Sequence, residues 1–386
     1  VVTLADNVRN QAFNSFSALK AGLEMKSELM DYQRRFFAER KEAAKRDAVK
    51  GYIFGSPNDL SLSRELFRLL KAHDIKVYNL QKVVRINGME FTPGTSWIVP
   101  AQQQQYSVIK TLFERNLNFK DTTFYDISAW TVPLAMNIRY AEVKEVAVPT
   151  GEEVTSEEVF ENGKKGYSVA LSTYAYFIET TDLYSYTLIY SLLNSGVIVK
   201  VADKPFSFRI NGTERQFKRG TIMIPVSQQK FTPEQIHSVI NKSLAVYRGA
   251  AISAFSASAG QSEGDTDPGS NHFRIISKPS VAILTGRGAS FGTVGEIWHL
   301  FDSRLRIPVS LIDAESTVGL SRYNVIIIAG NTQLSGDFSK RLADWSREGG
   351  NTIISIGAAF RLLNEAGVTS VKTVAEKRDT FNLANG

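Results

Sequence analysis

Three groups of residues have types and spacings that could do chemistry. The first is Gly286-Arg287-Gly288-Ala289-Ser290-Phe291-Gly292, which follows an apolar run and opens a helical stretch. Amides at a helix start favour anions, and open α/β sheets bind ligands outside the carboxyl ends of their strands. Asp313 ends the next apolar run, where a ribose-binding acid could sit. Gly286, Arg287, Gly288, Ser290 and Asp313 are therefore candidate ligand-binding residues. The spacing is not G-x-G-x-x-G, so a tight strand-to-helix turn with structural glycines is the simpler reading.

Glu296, His299 and Asp302 form the second group, at i, i+3 and i+6, which a regular helix would set near one face. A metal could use two of them but needs further ligands and a fixed surround, so a surface cluster is the simpler reading. His73, His237 and His272 are scattered without ligand spacing. The third group is aromatic: Tyr174, Tyr176 and Tyr184, with Phe177, Tyr186 and Tyr190 nearby. Such side chains can stack on a sugar or anchor a peptide, and they also fill cores. No Ser-His-Asp arrangement has recognisable spacing. The absence of cysteine excludes disulfides, thiolate zinc sites and a thiol nucleophile.

At 386 residues the chain is long enough for two or three domains. Its 43% hydrophobic and 22% charged content is that of a globular protein and excludes wholesale disorder. No apolar run reaches the length of a membrane helix. The start Val1-Val2-Thr3-Leu4 carries no signal pattern and reads as a processed product or an excised fragment. The formal charge is +6, and between Arg34 and Lys50 seven basic residues face three acidic ones. Because the two signs interleave in a helix-forming sequence, a solvated helix face is expected there and no nucleic-acid partner.

These groups need elements to hold them. Residues 1–46 lack proline, and Leu4, Val8, Ala12, Phe16, Leu19 and Leu23 recur at three- and four-residue steps. The spacing predicts an amphipathic helix, broken near Gly22, whose apolar stripe needs a partner in this chain or in a preceding domain. Five landmarks then recur in order. Lys50-Gly51-Tyr52, a helical stretch, a short strand, Arg85-Ile86-Asn87-Gly88 and Gln103-Gln104 return as Lys165-Gly166-Tyr167, Leu188–Leu193, Val197–Val199, Arg209-Ile210-Asn211-Gly212 and Gln228-Gln229. Each copy reads as a small α/β module with a hairpin at its Asn-Gly pair, which suits a type I′ turn. An aromatic connector, Phe124–Pro133, and a Glu-rich stretch at 152–161 lie between the copies.

The expected divisions are a helical segment at 1–46, the modules at 47–145 and 146–252, and a Ser/Gly-rich linker at 253–271. The final domain runs from 272 to 386. There, short apolar runs alternating with helical stretches predict a doubly wound parallel sheet.

Several motifs resemble a known family. Leu4-Ala5-Asp6-Asn7-Val8-Arg9-Asn10 and Asp31–Phe37 look like the segment C-terminal to the catalytic domain in large bacterial zinc carboxypeptidases, relatives of carboxypeptidase A. Tyr125–Pro133, Leu284–Gly288 and Gly295–Leu300 resemble stretches of their long C-terminal regions. The resemblance implies a secreted or periplasmic parent that uses zinc to hydrolyse C-terminal peptide bonds. Those catalytic residues include a His-x-x-Glu pair, which this sequence lacks, so no catalytic residue and no zinc is expected in this chain. The implied partners are a peptidase domain preceding residue 1 and peptide substrates. The last domain is similar to the class I glutamine amidotransferase-like fold, with Gly357 of Ile356–Leu363 at its cysteine position, which implies a scaffold or binding domain without acyl-enzyme chemistry. Three functions are expected from these readings: a non-catalytic region supporting a peptidase or presenting substrate to it, a peptide, glycan or small-molecule binding module, and an independent hydrolase on the last domain.

Overall fold

The computed structural model describes residues 3–115, 131–144, 150–161, 168–246, 252–257 and 266–372. Most of the aromatic connector and Lys165-Gly166-Tyr167 lie outside the described residues. The protein is mixed α/β and divides into two compact units. The first comprises Val1–Tyr167, Thr181–Leu183 and Tyr247–Ser253, and the second comprises the rest. No helix among the described residues is long and apolar enough to cross a membrane.

The first unit opens with α1 (Leu4–Glu24) and α2 (Lys26–Arg46), separated only by Met25. The break thus falls three residues beyond the expected Gly22. Thr3 and Asp6 form a capping box at the start of α1, which satisfies two amides that would otherwise lack partners. No residue of α1 is buried, and α2 buries only Ala44.

The first module follows: β1 (Gly51–Phe54), α3 (Leu60–Ala72), β2 (Tyr78–Leu80), β3 (Val84–Ile86), β4 (Met89–Phe91), β5 (Trp97–Pro100), α4 (Tyr106–Phe113), α5 (Val132–Ala135), β6 (Tyr140–Val143) and β7 (Thr150–Glu153). Its five-stranded sheet has the order β6-β1-β5-β2-β7 and is antiparallel throughout. Side chains alternate across it, as a period of two requires. Tyr52, Phe54, Trp97 and Val99 join a core with Leu66, Phe67, Ile109, Phe113 and Phe160, beneath α3 and α4. Ile53, Ile98, Ala141 and Val143 face the other way, toward Phe91 and the β3–β4 hairpin. Both faces are covered, so β1 and β5 read as unbroken apolar runs although their sheet is antiparallel.

The second unit begins by repeating this plan with β8 (Ala175–Ile178), α6 (Ser185–Asn194), β9 (Lys200–Ala202), β10 (Phe206–Ile210), β11 (Thr213–Phe217), β12 (Ile222–Pro225), α7 (Pro233–Val246), β13 (Ala254–Ala257) and β14 (Phe273–Ile275). The sheet order β13-β8-β12-β9-β14 matches the first sheet position for position. The repeat is therefore a duplicated antiparallel module. β13 arises within the stretch expected to be a linker, and β14 at the start of the expected last domain. Both Asn-Gly pairs form the anticipated turns, with φ of 52° and 75° at Asn87 and Gly88 and 52° and 79° at Asn211 and Gly212.

The recurring glutamines have a shared role. Gln103 accepts from Lys76 N–H (2.7 Å) and donates to the Lys76 and Pro100 carbonyls (both 2.9 Å). Gln229 makes the same three bonds to Ile198 and Pro225 (2.8, 2.9 and 2.9 Å). Each side-chain amide acts as a strand partner. The role falls one residue later in the second module, where Gln228 adopts φ 70°.

The chain ends in a four-stranded parallel sheet of order β16-β15-β17-β18, formed by β15 (Val281–Thr285), β16 (Val309–Asp313), β17 (Val325–Ala329) and β18 (Thr352–Ile356). The accompanying helices are α8 (Phe291–Trp298), α9 (Gly336–Arg347) and α10 (Phe360–Glu365). Leu284, Ile326 and Ile328 pack with Phe338, Leu342 and Trp345, while Ile283 and Ile327 pack with Val294.

Trp97 is fully buried, and its indole nitrogen has no hydrogen-bond partner among the described residues. Trp97→Ala is expected to cost about 3–5 kcal/mol through the cavity it leaves, and Trp97→Phe much less, because no bond is lost. Urea unfolding of both variants checks the contrast.

Candidate functional site

The glycine-rich turn lies at the carboxyl end of β15. Gly286 (φ 106°) and Gly288 (φ 76°) both adopt conformations that disfavour a side chain. A Cβ on Gly286 would come within 2.9 Å of the Asp313 carboxylate, and one on Gly288 within 2.3 Å of the Asn331 carbonyl. The structure therefore brings Gly286 and Asp313 together. It occupies Asp313 with the Glu315 N–H (2.8 Å), and the Arg287 carbonyl accepts from Gln333 N–H (2.8 Å). Ser290 caps α8, accepting from Thr293 N–H at 3.4 Å. Backbone packing engages Gly286, Gly288 and the Arg287 carbonyl, and Ser290 acts as a helix cap.

Glu296 lies on α8, but the helix widens to π pitch over His299–Arg304. Three-residue spacing no longer keeps one face once the pitch changes, so Asp302 departs from the line that a regular helix would draw. Among the described residues no three histidines or acids are placed to hold a metal. His272 pairs with Asp203 (2.9 Å), and His237 contacts the Val169 carbonyl (2.9 Å) and Asn241 (2.8 Å).

The tyrosines are divided. Tyr176 is fully buried, and its hydroxyl accepts from Ser172 N–H at 3.0 Å. Tyr174 is half-buried and stacks on Phe208 with centroids 5.7 Å apart. Tyr184 sits half-buried at the start of α6. The first two belong to packing around the second sheet.

Two carboxylates of the first unit have strongly displaced proton affinities. Asp59 caps α3, accepting from Leu62 N–H (3.0 Å) and Leu183 N–H (3.2 Å). Burial, and then the charge of nearby Asp182, pushes it up to about 6 despite those bonds. Asp182 is buried and accepts from the Ser61 hydroxyl at 2.8 and 2.7 Å. Asp47, just after α2, accepts from Lys110 Nζ (2.8 Å), Val49 N–H (2.9 Å) and the Tyr106 hydroxyl. Burial alone would raise Asp47, but these bonds outweigh it and hold the group down to about 2. The Asp47 cluster fastens α2 to α4, beside the apolar contact of Ala44, Ala101 and Tyr106.

The feature with the strongest claim to bind something is a groove of about 930 Å³ in the first unit, along β6. The β3–β4 hairpin lines one side, and Arg115, Leu134 and Asn137 line the other. Lys82, Arg85, Arg115, Arg139 and Lys144 line it against a single carboxylate, Glu142. Arg85 is paired with Glu90 (2.6 Å) and Lys144 lies 3.7 Å from Glu142. Lys82 and Arg115 are exposed, with no acid at ion-pair distance among the described residues. Exposed Val83 and Leu134 add apolar surface. These residues span some sixty positions and belong to no motif. The basic cluster visible in the sequence, Arg34–Lys50, lies on and just beyond α2 instead.

No family model, no curated protein and no solved structure matches this chain.

The glycine turn and the buried acid can each be tested. Gly288→Ala should cost about 2–4 kcal/mol, since it combines positive φ with a backbone clash. Gly292→Ala, in α8 with nothing within 4 Å of the added carbon, should be neutral or mildly stabilising, and thermal unfolding separates the two. Asp59 binds its proton more tightly folded than unfolded, so its contribution is complete below pH 3.8 and lost as pH rises through about 6. Asp59→Asn should flatten that decline in a series of urea midpoints.

Proposed function

We propose that this chain is a non-catalytic region of a zinc metallocarboxypeptidase-like protein, supporting or presenting substrate to a peptidase domain that the chain does not contain. The observation carrying this reading is α1. Leu4, Val8, Phe16, Leu19 and Leu23 run along one side of the helix and are 60–79% exposed. Covering such side chains is worth about 1.5–3 kcal/mol each, so the stripe suits a protein surface that packs on it. The capping box gives this helix a defined start, and the Asp47 cluster fastens the end of α2, the helix that follows it.

The motif resemblance supports the same reading and supplies the secreted or periplasmic setting. For the last domain we propose the flavodoxin-like, glutamine amidotransferase-like plan. Strand order β16-β15-β17-β18 is the 2-1-3-4 sequence with which such sheets begin. Gly357 follows β18 with φ 68°, the strained strand-to-helix position where a nucleophile would stand, and it has no side chain to react.

The test is the native protein from its source cells. A chain heavier than 42.8 kDa that carries zinc is expected, together with no release of C-terminal residues by the isolated 386-residue chain given zinc. A zinc-free native chain of 42.8 kDa would sink the reading. Phe16→Ser with Leu19→Ser should leave the stability of the isolated chain within about 0.5 kcal/mol, because neither side chain is buried. The same pair should weaken attachment to a peptidase domain, read as faster proteolytic separation.

A further inference from the structure

We infer that the groove along β6 binds an extended acidic peptide, which adds to the first sheet as a sixth strand. This stands whether or not the chain adjoins a peptidase domain.

The ladder decides which backbone groups are free. β6 is the last strand of its sheet and pairs only with β1 among the described residues, in the register Gly51↔Val143, Ile53↔Ala141. Gly55 N–H donates to the Arg139 carbonyl (2.9 Å), just beyond the strand in the same register. In an antiparallel pair, residues that exchange hydrogen bonds alternate with residues that do not. Arg139, Ala141 and Val143 therefore direct their backbone groups toward β1. Tyr140 and Glu142 direct theirs away, into the groove, and the N–H of Lys144 follows the same alternation. A free edge of this kind pairs with any extended chain that can reach it, and soluble proteins normally blunt such edges.

The walls determine which chain. Backbone pairing supplies affinity without choosing a sequence, and the flanking side chains choose. Here the cations stand on both sides of the edge: Lys82 and Arg85 on the hairpin side, Arg115 on the other, with Arg139 and Lys144 at the ends of β6. An incoming strand alternates its side chains between these walls, so acidic residues meet a cation on either side. Val83 and Leu134 give apolar residues a place between them. The edge from 140 to 144 matches about five peptide residues at roughly 3.4 Å each. A single-stranded nucleic acid would also meet the charge, but it could not use the outward N–H and C=O groups in register. Of the lining, only Tyr140 offers a ring, and that ring packs against the core with Phe113.

The test uses the 386-residue chain and a fluorescent peptide of Glu-Glu-Val-Val repeats, about eight residues long, which places acids on both faces of the added strand and is followed by anisotropy. Saturable binding is expected, weakened about tenfold or more by Lys82→Glu with Arg115→Glu and weakened by added salt. Neither side chain is buried, so the fold should survive. A version of the peptide N-methylated at alternate residues keeps its charge and should not bind. Glu142→Pro removes one outward N–H without touching the β1 ladder, and should weaken binding while leaving the melting temperature close to that of the parent. The inference is overturned if the peptide fails to bind, or if a Lys-Lys-Val-Val peptide binds equally well. Equal binding of the N-methylated peptide, or tighter binding of an oligothymidylate, overturns it as well.

Discussion

The antiparallel pairing of β1 with β5 on one side and β6 on the other sets the position of nearly every feature in the first unit. It demands close backbone approach, and the sequence meets that demand with glycine at both ends of β1. A Cβ on Gly51 would lie 2.9 Å from the Val99 carbonyl, and one on Gly55 only 2.3 Å from that of Thr95. With β1 seated, Tyr52 and Phe54 are committed to the helix-covered face and Ile53 to the hairpin-covered face. β6 must then lie at the border of the sheet, with half of its backbone groups turned outward. The groove results from that termination and from the hairpin folding over one face. The same topology built again in the second unit shows that the plan does not depend on one set of side chains.

Local features were legible from the sequence because their physics is local. Asn-Gly between apolar runs fixed both hairpins, and the three- and four-residue steps of Leu4 to Leu23 marked α1. The duplication was legible from ordered landmarks, although the glutamines turned out to be backbone clamps. What could not be read was how each sheet closes. β6, β7, β13 and β14 come from segments between or after the landmarks, and short strands at a sheet border carry little pattern of their own. The groove was hidden for a related reason: Lys82, Arg115 and Lys144 are neighbours only after β6 pairs with β1. Reading Glu296, His299 and Asp302 as one face assumed a uniform helical pitch, which the π segment breaks.

The charged groups with the most displaced proton affinities are tied to architecture. Asp47 ties α2 to α4, and Asp59 caps α3 beside the buried Asp182. Perturbed carboxylates often mark catalytic sites, but these are engaged by backbone amides and neighbouring side chains that hold elements together. Two uncommitted surfaces stand out among the described residues of the first unit, the apolar stripe of α1 and the cationic edge at β6. Both are suited to holding another polypeptide.

The most direct measurement is residue-resolved amide hydrogen exchange along β6, without and with the acidic peptide. Slow exchange is expected at Ala141 and Val143 throughout, because their N–H groups are bonded to β1. Tyr140 and Glu142 should exchange fast in the free chain and become protected when the peptide is added. Protection of Tyr140 and Glu142 in the free chain, or peptide-induced protection confined to other elements, would contradict a free, peptide-binding edge at β6.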